Sequence, residues 1–304
     1  MKLGFVSSIL DQDSFEDVVD TAADLGLECV ELACWPGEKA ERRYAGVSHI
    51  DTENLSDEKI VYIKEYCKKK KVEISSLAYY PNPLDSDKAK QKKAIDHLYS
   101  LIDASSKLNV NMVTTFVGRD QNKTVEENLA LVKIIWPPIL EYARDRGVKV
   151  AIENCPMLFG PDQWPGGQNL MTSPYLWEKI WEILPYDNFG LNFDPSHFIW
   201  QKMDYISPIN DYKEKMFHIH FKDIRIETKK IEKAGILAYP LEYMTPKMPG
   251  LGDVHWGQFV SALTDIGYKG YACIEAEDRA FEGSREDVVK GLKMAKKYVE
   301  QFLG

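Results

Sequence analysis

Short, mostly unalternated apolar stretches recur along this chain, each followed by a helical pattern, and this alternation limits the fold more than any other feature. The stretches are Leu3–Val6, Glu28–Leu32, Val72–Leu77, Asn111–Phe116, Val150–Asn154, Phe189–Asp194, Met216–His220 and Tyr271–Glu275. Apolar runs of this length without a period of two read as strands covered on both faces, which is the condition of a parallel sheet.

The intervening segments carry helix signals. Asp13 and Glu16 have the spacing of a helix start, the apolar face runs through Phe15, Val18, Val19 and Ala22, and Gly26 ends it. Asp57–Lys70 and Asp87–Leu108 read as helices. Thr124 with Glu127 opens a long helix to Arg146, which Pro137 and Pro138 are expected to kink. Ser173-Pro174 supplies an N-cap and a first-turn proline. Trp256, Phe259, Val260, Leu263 and Ile266 mark a further helical face, and Ser284 with Asp287 caps the last helix, whose stripe is Val288, Leu292, Ala295, Val299 and Phe302. Strands and helices in strict alternation predict an α/β chain of (β/α)8 type, a TIM barrel in one domain over residues 1–304. The length of 304 residues suits a barrel of roughly 250 residues with insertions. A doubly wound nucleotide-binding sheet is disfavoured, because the turn after the first strand is Ser7-Ser8-Ile9-Leu10 rather than a glycine-rich phosphate cradle. Three loops are long: Cys34 to about Asn54, with Trp35, Pro36, Gly37 and Arg42-Arg43-Tyr44; Cys155 to Thr172; and Ile224–Gly252, with prolines and little periodicity.

A net charge of −9 argues against a nucleic-acid partner, which usually meets a basic face. The first residues lack a signal-peptide pattern and no run is long enough to span a membrane. The five cysteines, Cys29, Cys34, Cys67, Cys155 and Cys273, are scattered, which reads as reduced thiols in the cytoplasm.

Four of the strands end in a side chain that can bind a metal: Glu153, Asp194, His220 and Glu275. In a barrel these ends meet at one mouth. Three carboxylates brought together repel strongly unless a cation lies among them. A mixed oxygen and imidazole set suits one divalent ion, Mn2+, Mg2+, Co2+ or Zn2+. Lys222 could face a substrate oxygen or a carboxylate near the ion, Asn154 could orient Glu153 or bind a hydroxyl, and Trp35, Tyr79 and Tyr80, at the ends of the second and third strands, could wall a sugar pocket. His97, beside Asp96, reads as a surface or interhelix group, His49 as a loop residue and His255 as a residue near a helix start. Glu277-Asp278-Arg279 could contact the mouth from the last loop, with a solvated ion cluster as the default reading.

The stretches Ala151-Ile-Glu-Asn154, Asp194-Pro-Ser-His197, His218-Ile-His-Phe-Lys-Asp223, Pro249-Gly-Leu-Gly-Asp253 and Ile274-Glu-Ala-Glu-Asp278 resemble the sugar phosphate isomerase/epimerase superfamily of xylose isomerase-like barrels, over essentially the whole chain. The resemblance implies Glu153, Asp194, His220 and Glu275 as metal ligands and His197 as a substrate contact. It also implies a substrate role for Arg225, whose spacing from His220 differs from the family's by one residue. It implies a divalent-metal-dependent isomerase or epimerase of a keto sugar or cyclitol, in which Glu153 and Glu275 move a proton beside a carbonyl through an enediolate. A lyase dehydrating an inosose-like or 3-keto-sugar substrate is the alternative. A non-catalytic sugar-binding barrel ranks lower. An AP endonuclease ranks lowest, since such relatives need histidines after the second to fourth strands, where this chain has Trp35, Tyr79-Tyr80 and Thr114-Thr115-Phe116. The expected substrate is a small unphosphorylated molecule, since no anion nest follows the seventh or eighth strand. Homo-oligomerisation is expected by resemblance alone.

Overall fold

The computed structural model describes residues 1–37, 44–158 and 160–303; the Arg42–Arg43 pair falls outside them. Ten strands and ten α-helices follow one another as β1 Lys2–Val6, α1 Phe15–Asp24, β2 Cys29–Ala33, α2 Asp57–Lys70, β3 Glu73–Ala78, α3 Lys88–Leu108, β4 Met112–Thr115, α4 Val125–Asp145, β5 Lys149–Glu153, α5 Pro174–Ile183, β6 Phe189–Phe193, α6 Ser196–Trp200, α7 Ser207–Asp211, β7 Met216–Phe221, β8 Asp223–Ile226, α8 Thr228–Ala234, β9 Met244–Lys247, α9 Trp256–Asp265, β10 Tyr271–Ile274 and α10 Arg285–Val299. Eight of the strands are parallel and close into a barrel in the order β1-β10-β7-β6-β5-β4-β3-β2. The expected TIM barrel is therefore present. No described helix is long and apolar enough to cross a membrane.

Each barrel strand shows its two faces different surroundings. Outward residues such as Val30, Leu32, Ile152, Leu191 and Ile219 are sealed under the helices in one continuous core with Trp136, Trp177, Phe259 and Leu292. Inward positions are unusually polar: Glu31, Ser76, Thr114, Asn192, His218 and His220 are all buried. They bond one another across the lumen. Ser76 Oγ lies 3.1 Å from Thr114 Oγ1, and His218 reaches Asn192 Oδ1 at 2.9 Å and Ser75 Oγ at 3.0 Å. Buried polar groups satisfied in this way cost little, whereas a missing partner would cost about 1–3 kcal/mol.

Three local expectations are corrected. Helix α1 is capped by Ser14 and Asp17 in a reciprocal box, not by Asp13 and Glu16; Asp13 instead holds Arg285 of α10 at 2.9 Å. Ser173 sits at the N-cap of α5 but accepts no capping hydrogen bond, so Pro174 alone sets that start. Helix α4 runs through Pro137 and Pro138 as one helix, Val125–Asp145, with Trp136, Ile139 and Leu140 buried and the Trp136 indole donating to Val117 O at 2.9 Å. The long segment after β7 is not irregular throughout, since β8 and β9 form an antiparallel hairpin with α8 between them.

That hairpin and the following loop are tied to the barrel by one carboxylate. Asp223 accepts bonds from the backbone N–H of Ile224 (2.9 Å), Gly250 (3.0 Å) and Val254 (3.1 Å), and from the Trp256 indole (2.9 Å). Gly252 lies against it so closely that a Cβ there would stand 2.2 Å from Asp223 Oδ1 and 2.3 Å from Ile224 O. Backbone cannot yield as a flexible side chain does, so Gly252→Ala is expected to cost roughly 1–3 kcal/mol. Urea unfolding of the variant and the parent measures the difference; equal midpoints would show that the loop is not held this way.

Candidate metal centre

Closure of the barrel brings the ends of β5, β6, β7 and β10 to one mouth. Glu153 is the last residue of β5, Asp194 follows β6, His220 is the fifth residue of β7 and Glu275 follows β10. Each offers a ligand atom that lies within 4.8 Å of the other three. His220 Nδ1 is 3.0 Å from Glu275 Oε2 and 3.8 Å from Glu153 Oε1. Ligand atoms bonded at ~2.0–2.3 Å to one ion stand roughly 3–3.5 Å apart, so the spacing is that of a coordination shell.

The hydrogen bonding fits the same reading. His220 Nδ1, Asp194 Oδ2 and Glu275 Oε2 are buried and have no hydrogen-bond partner, although each lies among polar atoms. Orphaned buried groups are rare, and three converging on one point make this a candidate cation site.

The other atoms of these side chains are engaged in ways that aim the free ones. His220 Nε2 lies 3.0 Å from Glu31 Oε2, across the lumen on β2. Glu31 also accepts from Tyr80 Oη at 2.6 Å and from Ser76 Oγ at 3.3 Å. This leaves Nδ1 of His220 as the atom facing the mouth. Glu275 Oε1 accepts from Lys222 Nζ at 2.9 Å, and the same ammonium reaches Glu277 at 2.8 Å. Asn154 donates to Asp194 O at 2.8 Å and accepts from Asp194 N at 2.7 Å, fixing the strand end that carries the ligand.

The electrostatics follow. Burial by itself would push the Glu153 and Glu31 carboxyls up, but His197 and His220 beside Glu153, and His220 and His218 beside Glu31, hold both below the usual carboxylate range. Burial likewise opposes charge on Glu275, which Lys222 holds low while Glu153 works against it. Burial disfavours the His220 imidazolium, yet the carboxylates of Glu31, Glu153 and Glu275 raise its pKa well above the ordinary value. Without a metal the cluster therefore answers its own negative charge with protons. At an effective dielectric of 20, two like charges 4 Å apart repel by about 4 kcal/mol.

The expected site residues divide into two groups. Glu153, Asp194, His220 and Glu275 meet, His197 joins them with Nε2 at 3.1 Å from Asp194 Oδ2 and 3.4 Å from Glu153 Oε1, and Lys222 and Trp35 line the mouth. Three expected substrate contacts do not reach it. Asn154 is fully buried with both amide atoms bonded to Asp194, so neither a substrate hydroxyl nor Glu153 is its partner. Arg225 points outward on β8 and pairs with Glu227. Tyr79 packs between Trp35 and His97, and its neighbour Tyr80 lines the cavity instead.

Other readings also change. His97 is buried, bonded to Cys34 O at 2.8 Å and to Glu53 at 3.0 Å, rather than lying on the surface. Glu277 reaches the mouth through Lys222, and Asp278 is buried and bonded to Lys247 at 3.0 Å, so neither is a solvated charge. Glu31, Tyr80 and Glu277 brace these side chains although no local pattern marks them for it. The one available signal was Glu31 itself, a charge in the middle of an apolar strand. The mouth cavity is a small one of about 90 Å3 that opens to solvent on one side.

A family model described as a xylose isomerase-like TIM barrel matches residues 19–298. A Bacillus subtilis protein called YfiH, uncharacterized, is 25% identical over 302 residues, covering 91% of this chain and 93% of its own. An inosose dehydratase of Clostridium tetani is 24% identical over 216 residues, 69% of this chain and 70% of its own, and several others match over about two fifths of their length. Among solved structures, the IolI protein with a bound zinc atom superposes with a TM-score of 0.73 at 18% identity over 100% of both chains. A D-psicose 3-epimerase of Clostridium cellulolyticum H10 with D-tagatose superposes with a TM-score of 0.67 at 16% identity, over 100% of this chain and 99% of that one.

Two outcomes follow from the geometry. Glu31→Gln removes the charge behind His220 and is expected to weaken zinc binding about 10–100-fold, as loss of a ligand's carboxylate partner generally does; equilibrium dialysis measures it, and unaltered affinity would separate Glu31 from the centre. Because the metal-free His220 holds a proton that an ion must displace, zinc affinity should rise with pH below the raised pKa, by about tenfold per pH unit for one proton released. A pH-independent affinity across neutrality would contradict the protonated cluster.

Proposed function

The chain belongs to the xylose isomerase-like TIM barrel family, and on that premise we propose that it is a divalent-metal-dependent isomerase or epimerase of an unphosphorylated keto sugar or cyclitol. The observation that carries this reading is the convergence of unpartnered Asp194 Oδ2, His220 Nδ1 and Glu275 Oε2 with Glu153 at a mouth open to a small molecule.

A divalent ion held by Glu153, Asp194, His220 and Glu275 would supply positive charge to a carbonyl and its neighbouring hydroxyl, and so stabilise the charge left when the adjacent carbon loses its proton. The remaining work falls to the side chains. Glu153 and Glu275 come from strands separated in the ring by β7 and β6, so they approach a bound substrate from two directions. One carboxylate takes the proton and the other can return one, which suits inversion at a carbon or transfer to its neighbour. Lys222 holds Glu275 in place and keeps it ionised. His197 Nε2 lies beside Glu153 without a hydrogen-bond partner, and in this reading it meets a substrate oxygen. Trp35, Tyr80 and Phe116 offer the apolar wall against which sugar C–H faces pack.

The cavity favours a neutral substrate. Lys222 is the one lysine or arginine among the described residues that line it, and Glu275 and Glu277 already neutralise it. The same balance disfavours nucleic acid. Five free thiols, three of them buried, suit the reducing cytoplasm.

A second reading, dehydration of an inosose-like or 3-keto-sugar substrate, is favoured by the inosose dehydratases among the relatives. It needs the same proton removal, followed by loss of a hydroxyl that His197 could protonate.

The test is metal analysis of the purified protein, then incubation in deuterium oxide with a panel of ketoses and inososes. Deuterium is expected at the carbon beside the carbonyl, reduced at least about 100-fold in Glu153→Gln and Glu275→Gln, with metal content measured in each variant. Release of a dehydrated product selects the second reading. Absence of exchange and of any product across the panel would remove the catalytic reading.

A further inference from the structure

We propose a second cation site beside the first, formed by Glu153, Cys155 and His197 and selective for a thiophilic ion such as zinc or cadmium. One ligand atom from each of these side chains lies within 4.8 Å of those of the other two. Small side-chain rotations close that spacing onto bonds of ~2.0–2.3 Å. Nothing local in the sequence marks Cys155 as more than a reduced thiol.

Two further observations point to a ligand here. The His197 side chain is only 9% exposed, and its Nε2 has no hydrogen-bond partner although it faces Glu153 Oε1 at 3.4 Å. Met157 then folds back on Cys155, its N–H donating to Sγ at 3.4 Å and its thioether sulfur standing 3.8 Å from that thiol. A thiolate, an imidazole and a carboxylate, with a thioether alongside, form a soft donor set. The neighbouring four-residue group has three carboxylates and one imidazole and is harder, so the two sites rank metals differently. Cys155 and Met157 both line the open mouth, which gives an ion its way in.

Glu153 belongs to both groups, and a carboxylate can bridge two cations. An ion on His197 would occupy the atom assigned above to a substrate oxygen. Excess zinc should therefore inhibit an enzyme that one equivalent supports; this consequence rests on the proposed function, whereas the binding itself does not.

The test is a cadmium titration of the metal-stripped full-length protein, following bound equivalents and the ultraviolet thiolate-to-cadmium charge-transfer band. Two equivalents are expected in the parent, with the band present. Cys155→Ser should lose the band and one equivalent and keep the other, whereas Asp194→Asn should keep the band. A band that survives in Cys155→Ser comes from another thiol, such as half-buried Cys67, and overturns the proposal, as does a parent that binds cadmium without any band. If the parent binds one equivalent with a band that Cys155→Ser abolishes, the thiophilic site stands and the four-residue metal centre fails. One equivalent without a band gives the reverse result.

Discussion

A buried carboxylate facing a buried imidazole across the barrel lumen is the interaction on which the mouth is built. Glu31 on β2 and His220 on β7 meet at 3.0 Å, and neither would be tolerated in that interior alone. Together, with Tyr80 and Ser76 completing the Glu31 shell, they fix the imidazole so that its other nitrogen faces Glu153, Asp194 and Glu275. The polar lumen below, through Asn192, His218, Ser75 and Thr114, gives this pair neighbours that are themselves satisfied. A barrel filled with branched aliphatic side chains could hold the same strands, but it could not orient the ring.

Around that pair the supports are arranged in graded order. Asn154 ties the end of β5 to the end of β6 through the main chain of Asp194. Lys222 ties the end of β7 to Glu275 and Glu277 beyond β10. Asp223, next in sequence, gathers the hairpin and the 249–256 loop by accepting four bonds. Three consecutive positions after the His220 pair thus brace different elements: Phe221 packs outward against Trp256 and Phe259, Lys222 faces the acids and Asp223 anchors the loop. This distribution explains why a motif of histidine, lysine and aspartate concentrates at one strand end. It also separates the side chains that meet at the mouth from those that only hold them.

The alternation of apolar runs and helix caps was sufficient to read the barrel, because a strand covered on both faces has few alternatives and each helix has local stop and start signals. The four strand-end residues were legible for the same reason: a charge that ends an apolar run stands out. Glu31 was not read as part of the site, since one charge within a strand has no local sign of the histidine it meets 189 positions later. Asn154 and Arg225 were misplaced because adjacency to a ligand in sequence does not say which way a side chain turns. Asn154 turns into the strand end, and Arg225 leaves on a hairpin whose pairing with β9 depends on residues about twenty positions away.

The order of residues by itself determined that this chain forms eight buried parallel strands under helices, and that their ends carry a carboxylate-rich set with one imidazole, because periodicity, caps and burial cost act over a few residues. Only the closed tertiary structure decided which atoms of those side chains are left without partners, that Tyr80 rather than Tyr79 faces the cavity, and that Cys155 stands beside His197. Those outcomes depend on distances between segments far apart in the chain, which ring closure sets and no local pattern encodes.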